Sequence, residues 1–229
     1  SFTGGTKTGE RIAALAAPKF KKLSLELGGK NPNLIFDDCN IAEAVKTTIH
    51  SSFANQRQIC LCGSRIYVQE GVYEKFMQQF LAKVRKIQVG DPLEENTRTG
   101  AVVSQDHMEK VLSYITLAQK EGGKIEAGGS QVRLDGRCSE GYFIQPTVIT
   151  GLGAGCRTNQ EEIFGPVVTV QPFSTEKEGI ALANSTTYGL SATIWTENLS
   201  RAHRVSGALK SGIVWVNCWL VRDLRTPFG

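Results

Sequence analysis

The stretch Phe53-Ala-Asn-Gln-Arg-Gln-Ile-Cys-Leu-Cys62 places two thiols two positions apart, behind three side-chain amides and one cation. Thiols so placed have three chemistries open to them: packing as small hydrophobes, ligating a metal, or attacking as thiolates. A closed zinc site needs four ligands, and the chain has no Cys-x-x-Cys pair, while His50, His107 and His203 stand isolated. The sequence therefore predicts no metal. None of the three histidines carries a local signature that would nominate it as the base of a Cys–His pair. A structural cysteine and a nucleophile served by other groups both remain open.

Two further groups bear on the choice. Leu23-Ser-Leu-Glu-Leu-Gly-Gly-Lys30 sets one carboxylate, Glu26, in an apolar run that ends on two glycines. Burying it charged is costly, so burial would raise its pKa toward the range of a general base. The competing reading is a Glu on the outward face of a half-exposed strand. Gly28 and Gly29 would let backbone or ligand approach closely. Glu161-Glu-Ile-Phe-Gly-Pro166 joins an acidic pair to an aromatic residue and a rigid turn, a pattern that also fits a capped loop ahead of a strand.

These groups need a scaffold, and the chain has the means to build one. Its 229 residues are 41% hydrophobic and 21% charged, enough to bury a core in one large domain or two modest ones. A net charge of +4, with the basic residues scattered among acids, argues against a nucleic-acid tract; Lys19-Phe-Lys-Lys22 reads as a solvated turn. No segment approaches the roughly 18 apolar residues of a membrane span, and no signal peptide opens the chain. Six dispersed cysteines read as free thiols of a reducing compartment, so the expected location is cytoplasmic. Helical spacing is expected from Gly9 to Ala17, from Ile41 to Phe53 behind an Asn40 cap, from Val72 to Ile87, from Asp106 to Glu121 with a Gly122-Gly123 stop, from Thr175 to Ser185, and from Ser200 to Leu209. Strands are expected at 33–36, 64–68, 124–127, 143–149, 167–173, 190–195 and 212–217, with a polar, Gly-rich loop over 128–141. This alternation predicts an α/β fold on a largely parallel sheet. The absence of an initiator Met and the abrupt ends predict a piece of a longer polypeptide.

The three groups occur together, in this order, in the aldehyde dehydrogenase superfamily, which the chain resembles. The matching motifs are LELGGK with Glu26, NQRQIC with Cys60, EEIFGP, SFTGGT, NSTTYGLSATIWTEN and the closing VNCW…TPFG, and they cover essentially the whole chain. The resemblance implies the end of a Rossmann-like cofactor domain (residues 1–28) followed by a mostly parallel α/β catalytic domain (29–229), ending before an oligomerisation tail. Cys60 is then the nucleophile, adding to an aldehyde to give a thiohemiacetal whose oxyanion takes the Cys60 N–H and an upstream Asn. Hydride passes to a dinucleotide, NAD by subfamily, leaving a thioester, and Glu26 activates the water that hydrolyses it.

Gly4 and Gly5 match the turn beside the pyrophosphate, Leu27 offers a carbonyl to the nicotinamide amide, Glu162 bonds its ribose, and Phe164 packs nearby. The segment from Trp215 to Phe228 resembles the muconic semialdehyde branch of the family, which implies a semialdehyde bearing a carboxylate, bound by Arg222 and by Arg225. Surface pairing with Asp223 is the alternative for both arginines. Trp219, Phe228 and Phe53 are candidate pocket walls. Two departures stand out: Arg57 where the pattern has Gly, and Gly5 where many members have Ser. A catalytically silent protein of the same fold is the alternative. The resemblance further implies a homo-oligomer acting on a small-molecule aldehyde.

Overall fold

Apolar spacing places the elements. A computed structural model describes residues 1–223, 225, 226 and 228. In chain order it contains β1 (Phe2–Thr3), α1 (Thr6–Ala16), β2 (Leu25–Glu26), β3 (Asn31–Ile35), α2 (Ile41–Phe53), β4 (Gly63–Gln69), α3 (Glu70–Val84) and α4 (Gln105–Lys120). There follow β5 (Lys124–Ala127), β6 (Gln131–Val132), β7 (Phe143–Ile144), β8 (Thr147–Thr150), α5 (Arg157–Gln160), β9 (Val167–Phe173), α6 (Glu176–Ala183), β10 (Ser191–Trp195), α7 (Leu199–Ala208) and β11 (Ile213–Val216). The helix starts carry their signals. Asn40, Ser104, Thr175 and Asn198 each accept, through the side chain, the N–H three residues on. At the end of α4, Gly122 takes φ +90° and the Gly123 N–H returns to Ala118 O at 2.8 Å.

Seven strands form one sheet in the order β11-β10-β3-β4-β9-β8-β5, parallel throughout except for the β5–β8 pair. Strands β3 and β10 are buried along their whole length, as a sheet covered on both faces requires. Ile35, Ile66 and Val68 face the core packed by α2 and α3, whereas Leu34, Tyr67 and Ile194 face the one packed by α6 and α7. Helix α4 covers the far end through Met108, Val111 and Ile115. Pro32 lies in a central strand, where its missing N–H is tolerated because the register shifts between Asn31 and Pro32.

One expectation differs from the structure. The strand expected over 143–149 breaks at Gln145-Pro146 into β7 and β8, and β7 pairs with β6 inside the loop expected to be irregular. Of the two readings of the Glu26 run, the half-exposed strand is the one observed: β2 pairs in parallel with β1 as a separate ribbon, Leu23 is exposed, and Leu25, Glu26 and Leu27 are half-buried. No helix among the described residues is long and apolar enough to cross a membrane.

Candidate active site

Doubly wound sheets bind ligands outside the carboxyl ends of their strands. Here the candidate residues gather at the opposite edge. Gly28 and Gly29 precede β3, Cys60 precedes β4, and Glu162 and Phe164 precede β9; the β1–β2 ribbon supplies Gly4, Gly5 and Leu27. All of these but Gly29 line one cleft of about 250 Å³, completed by His107 and Lys110 of α4.

The two thiols of the opening motif separate here. Cys60 is half-buried and lines the cleft. Cys62 is 1% exposed, its sulfur donates to Ala54 O at 3.8 Å, and burial pushes its pKa up to about 11. The Cys60 thiol is also held above its ordinary value, first by burial and then by the Glu162 and Glu26 carboxylates, against the N–H groups of Cys60 and Leu61 that favour the thiolate.

The acidic pair divides its work. Glu161 pairs with Arg157 at 2.7 Å, and that bond holds its carboxyl below the usual range. Glu162 turns toward the cleft, where Oε1 accepts the Gly29 N–H at 2.9 Å. A Cβ on Gly28 would fall 2.5 Å from Glu162 Oε2, so glycine keeps that carboxylate in place. Phe164 takes φ +60°, a left-handed conformation rare for a bulky residue, and its carbonyl meets His107 Nε2 at 2.6 Å. Lys110 Nζ donates to Glu162 O at 3.2 Å. The Gly4 N–H is engaged by Glu26 O at 3.0 Å, which leaves the first amides of α1 as the free donors of that turn. The Leu27 carbonyl accepts no hydrogen bond among the described residues.

Other expected residues lie outside this cleft. Glu26 lines a neighbouring hollow of about 290 Å³ with Gly189, Leu190 and Phe228; the two spaces share Leu27 and Gly28. Arg222 is exposed, its guanidinium 5.4 Å from the centre of the Phe228 ring, beside a hollow of about 480 Å³ that Phe228 shares. Arg225 instead turns its guanidinium onto Asp223, with Nε 2.9 and 3.0 Å from the two carboxylate oxygens. Phe53 lines neither this cleft nor the Glu26 hollow: it is buried in the core and stacks on Phe80. Trp219 is buried and donates Nε1–H to Leu61 O at 3.0 Å.

Arg57 is the third of three successive left-handed residues, after Asn55 and Gln56, with φ of 49°, 54° and 57°. A glycine would meet that requirement at no steric cost, whereas this guanidinium is 2% exposed and its Nε has no partner among the described residues. Burial lowers its pKa, with Cys62 and Glu162 opposing. Sequence reasoning passed over His107, Lys110 and Asn31. The first two lie three apart on one helix face, a spacing that marks a shared surface and names no ligand.

Comparison with known proteins gives this arrangement its family. The model of the "Aldehyde dehydrogenase family" matches residues 1–229. The chain belongs to the aldehyde dehydrogenase family. It is 52% identical over 231 residues to the mouse 2-aminomuconic semialdehyde dehydrogenase, covering all of this chain and 47% of that protein. The 2-hydroxymuconic semialdehyde dehydrogenase of Pseudomonas sp. (strain CF600) is 45% identical over 229 residues, with the same coverage. The chain therefore spans about half the length of the curated relatives it matches. Among solved family members, the betaine aldehyde dehydrogenase of Staphylococcus aureus in complex with NAD+ superimposes with a TM-score of 0.94 at 41% identity, covering all of this chain and 45% of that one.

Proposed function

We propose that the full-length protein oxidises a carboxylate-bearing semialdehyde to the acid with NAD, through a thioester on Cys60. The observation that carries this reading is convergence. Four separate chain segments bring Cys60, Leu27, Gly4, Gly5, Glu162 and Phe164 onto one cleft, while the neighbouring Cys62 is buried and capped. The cleft fits a dinucleotide in two respects: the first amides of α1 are free for an anion, and Gly28 leaves room for the Glu162 carboxylate to meet a ribose. Bound there, NAD supplies the hydride acceptor.

The chain's own groups supply the rest. The Cys60 thiol gives up its proton to solvent before it attacks, and Glu26, which makes no side-chain hydrogen bond or ion pair among the described residues, stays free for the hydrolytic step. The sulfur adds to the aldehyde carbon, and the oxyanion takes the Cys60 N–H. Loss of hydride from that carbon leaves the thioester. Glu26 then deprotonates a water, which adds to the thioester carbon and releases the acid and the thiol. Its hollow adjoins the cofactor cleft across Leu27 and Gly28, so water reaches the thioester from a separate side.

The substrate class, a muconic-type semialdehyde such as 2-aminomuconic semialdehyde, rests on the relatives and on Arg222. That guanidinium is free of any acidic partner among the described residues, beside a hollow that shares the Phe228 wall with the one Glu26 lines. Arg225, engaged by Asp223, contributes less. Leaving one charge of such a pair unmatched costs about 2–5 kcal/mol. Arg222→Ala should therefore lower kcat/KM for an acidic semialdehyde about 30-fold or more and spare a neutral aliphatic aldehyde. Equal losses on both substrates would show that Arg222 does not read the carboxylate.

A further inference from the structure

The turn that carries Cys60 begins with a strained backbone, the left-handed run Asn55, Gln56 and Arg57. Such a run persists only where its surroundings over-determine it. Beyond it, three successive carbonyls are each held by a side chain from elsewhere in the fold. Asn31 Nδ2 donates to Cys60 O at 2.7 Å and to Cys62 O at 2.9 Å. Trp219 Nε1 donates to Leu61 O at 3.0 Å. Asn31 is itself fixed: it is 3% exposed, and its Oδ1 accepts the Ser191 N–H at 3.2 Å. Gly29 lies so close that a Cβ there would sit 2.8 Å from both Cys60 O and Asn31 Oδ1. Strand β3, strand β10 and the return segment after β11 thus anchor one turn.

Peptide planarity carries this anchoring to the sulfur. In a trans peptide the carbonyl of Cys60 and the N–H of Leu61 point opposite ways. Holding Cys60 O on Asn31 therefore swings the Leu61 N–H to the far side, the side on which that N–H favours the Cys60 thiolate. Trp219 fixes the next peptide plane, so the first cannot rotate alone.

We propose that Asn31 and Trp219 are positioning residues for the nucleophile: together they lock the peptide planes on either side of Leu61, which holds the Leu61 N–H toward the Cys60 sulfur and the thiol in the cleft. Both act through the backbone of the turn. The proposal rests on the assignment of Cys60 as nucleophile. The other titratable groups set against that sulfur are Glu26 on β2, Glu162 ahead of β9 and Cys62 in the turn itself, while His107 and Lys110 of α4 line the same cleft; all are untouched by the substitutions below.

The test compares the full-length protein with Trp219→Phe, which keeps an aromatic ring and loses the N–H with the five-membered ring that carries it, and with Asn31→Asp, which keeps the size and loses both donors. The rate of Cys60 alkylation by iodoacetamide is followed against pH, beside the melting temperature and the NAD dissociation constant. Trp219→Phe should slow alkylation at pH 7 about fivefold, the worth of one ordinary hydrogen bond, and move the pH midpoint upward, with NAD binding unchanged. Asn31→Asp should do more on both counts. An unchanged rate and midpoint in Trp219→Phe, whatever its melting temperature, would overturn the proposal. Labelling of the wild type at Cys62 rather than Cys60 would remove the nucleophile assignment and this inference with it.

Discussion

Replacing Arg57 by glycine should stabilise the protein. Two contributions favour the change. A residue with a Cβ at φ +57° costs about 1–2 kcal/mol more than glycine there. The guanidinium is buried with an unpartnered Nε, and an uncompensated buried charge costs about 3–5 kcal/mol. Against this, glycine gives up about 0.5–1 kcal/mol more chain entropy on folding. Removing the buried stem forfeits about 0.8 kcal/mol for each methylene, roughly 2.4 for the three. The balance is a gain of about 2 kcal/mol, or a rise of roughly 4–8 °C in the melting temperature for a unit of this size. Thermal unfolding of the full-length protein and of Arg57→Gly measures it directly. Arg57→Ala is the control: it removes the charge and keeps the strain, so it should gain about 1 kcal/mol less than Arg57→Gly. A glycine variant that melts at or below the wild type would refute the reasoning, because the attraction of Glu162 for the guanidinium would then outweigh its burial.

Two further outcomes follow from the same geometry. The buried Cys62 thiol keeps its proton up to about pH 11, whereas an unfolded thiol loses it near 9.0, so the unfolded state is favoured progressively between those values. Stability should fall by about 2–3 kcal/mol over that window, and denaturant titrations should show a flatter profile in Cys62→Ala. Gly28→Ala should push the Glu162 carboxylate out of the cleft and weaken NAD binding about tenfold while the melting temperature moves little; calorimetry with unchanged affinity would argue against Glu162 as a cofactor contact.

The fold was largely legible because burial on both faces of a parallel sheet writes itself into continuous apolar runs. Strand β9 and helix α2 begin and end where their runs and the Asn40 cap place them. The site was legible only as a set of motifs. Nothing local distinguishes Cys60 from Cys62; the difference arises from a left-handed turn and from contacts 29 to 160 residues apart in sequence, among them Asn31 to Cys60 and Ser191 to Asn31. Glu26 was legible only as a choice between a buried and a half-exposed strand, because alternating leucines look alike in a sheet and in a two-residue ribbon. Arg57 was visible as a departure from the family pattern, and only its φ gives the physical reason glycine suits the position.

The central claim is that Cys60 forms a thioester which Glu26 clears by activating water. Its most direct test is mass spectrometry of the full-length Glu26→Gln variant, quenched in acid after mixing with NAD and an acidic semialdehyde. The account predicts one substrate acyl group on the peptide containing Cys60, appearing with a burst of NADH equal to the enzyme present and then persisting. An acyl group on Cys62, or turnover that continues at the wild-type rate with no adduct on Cys60, would contradict it.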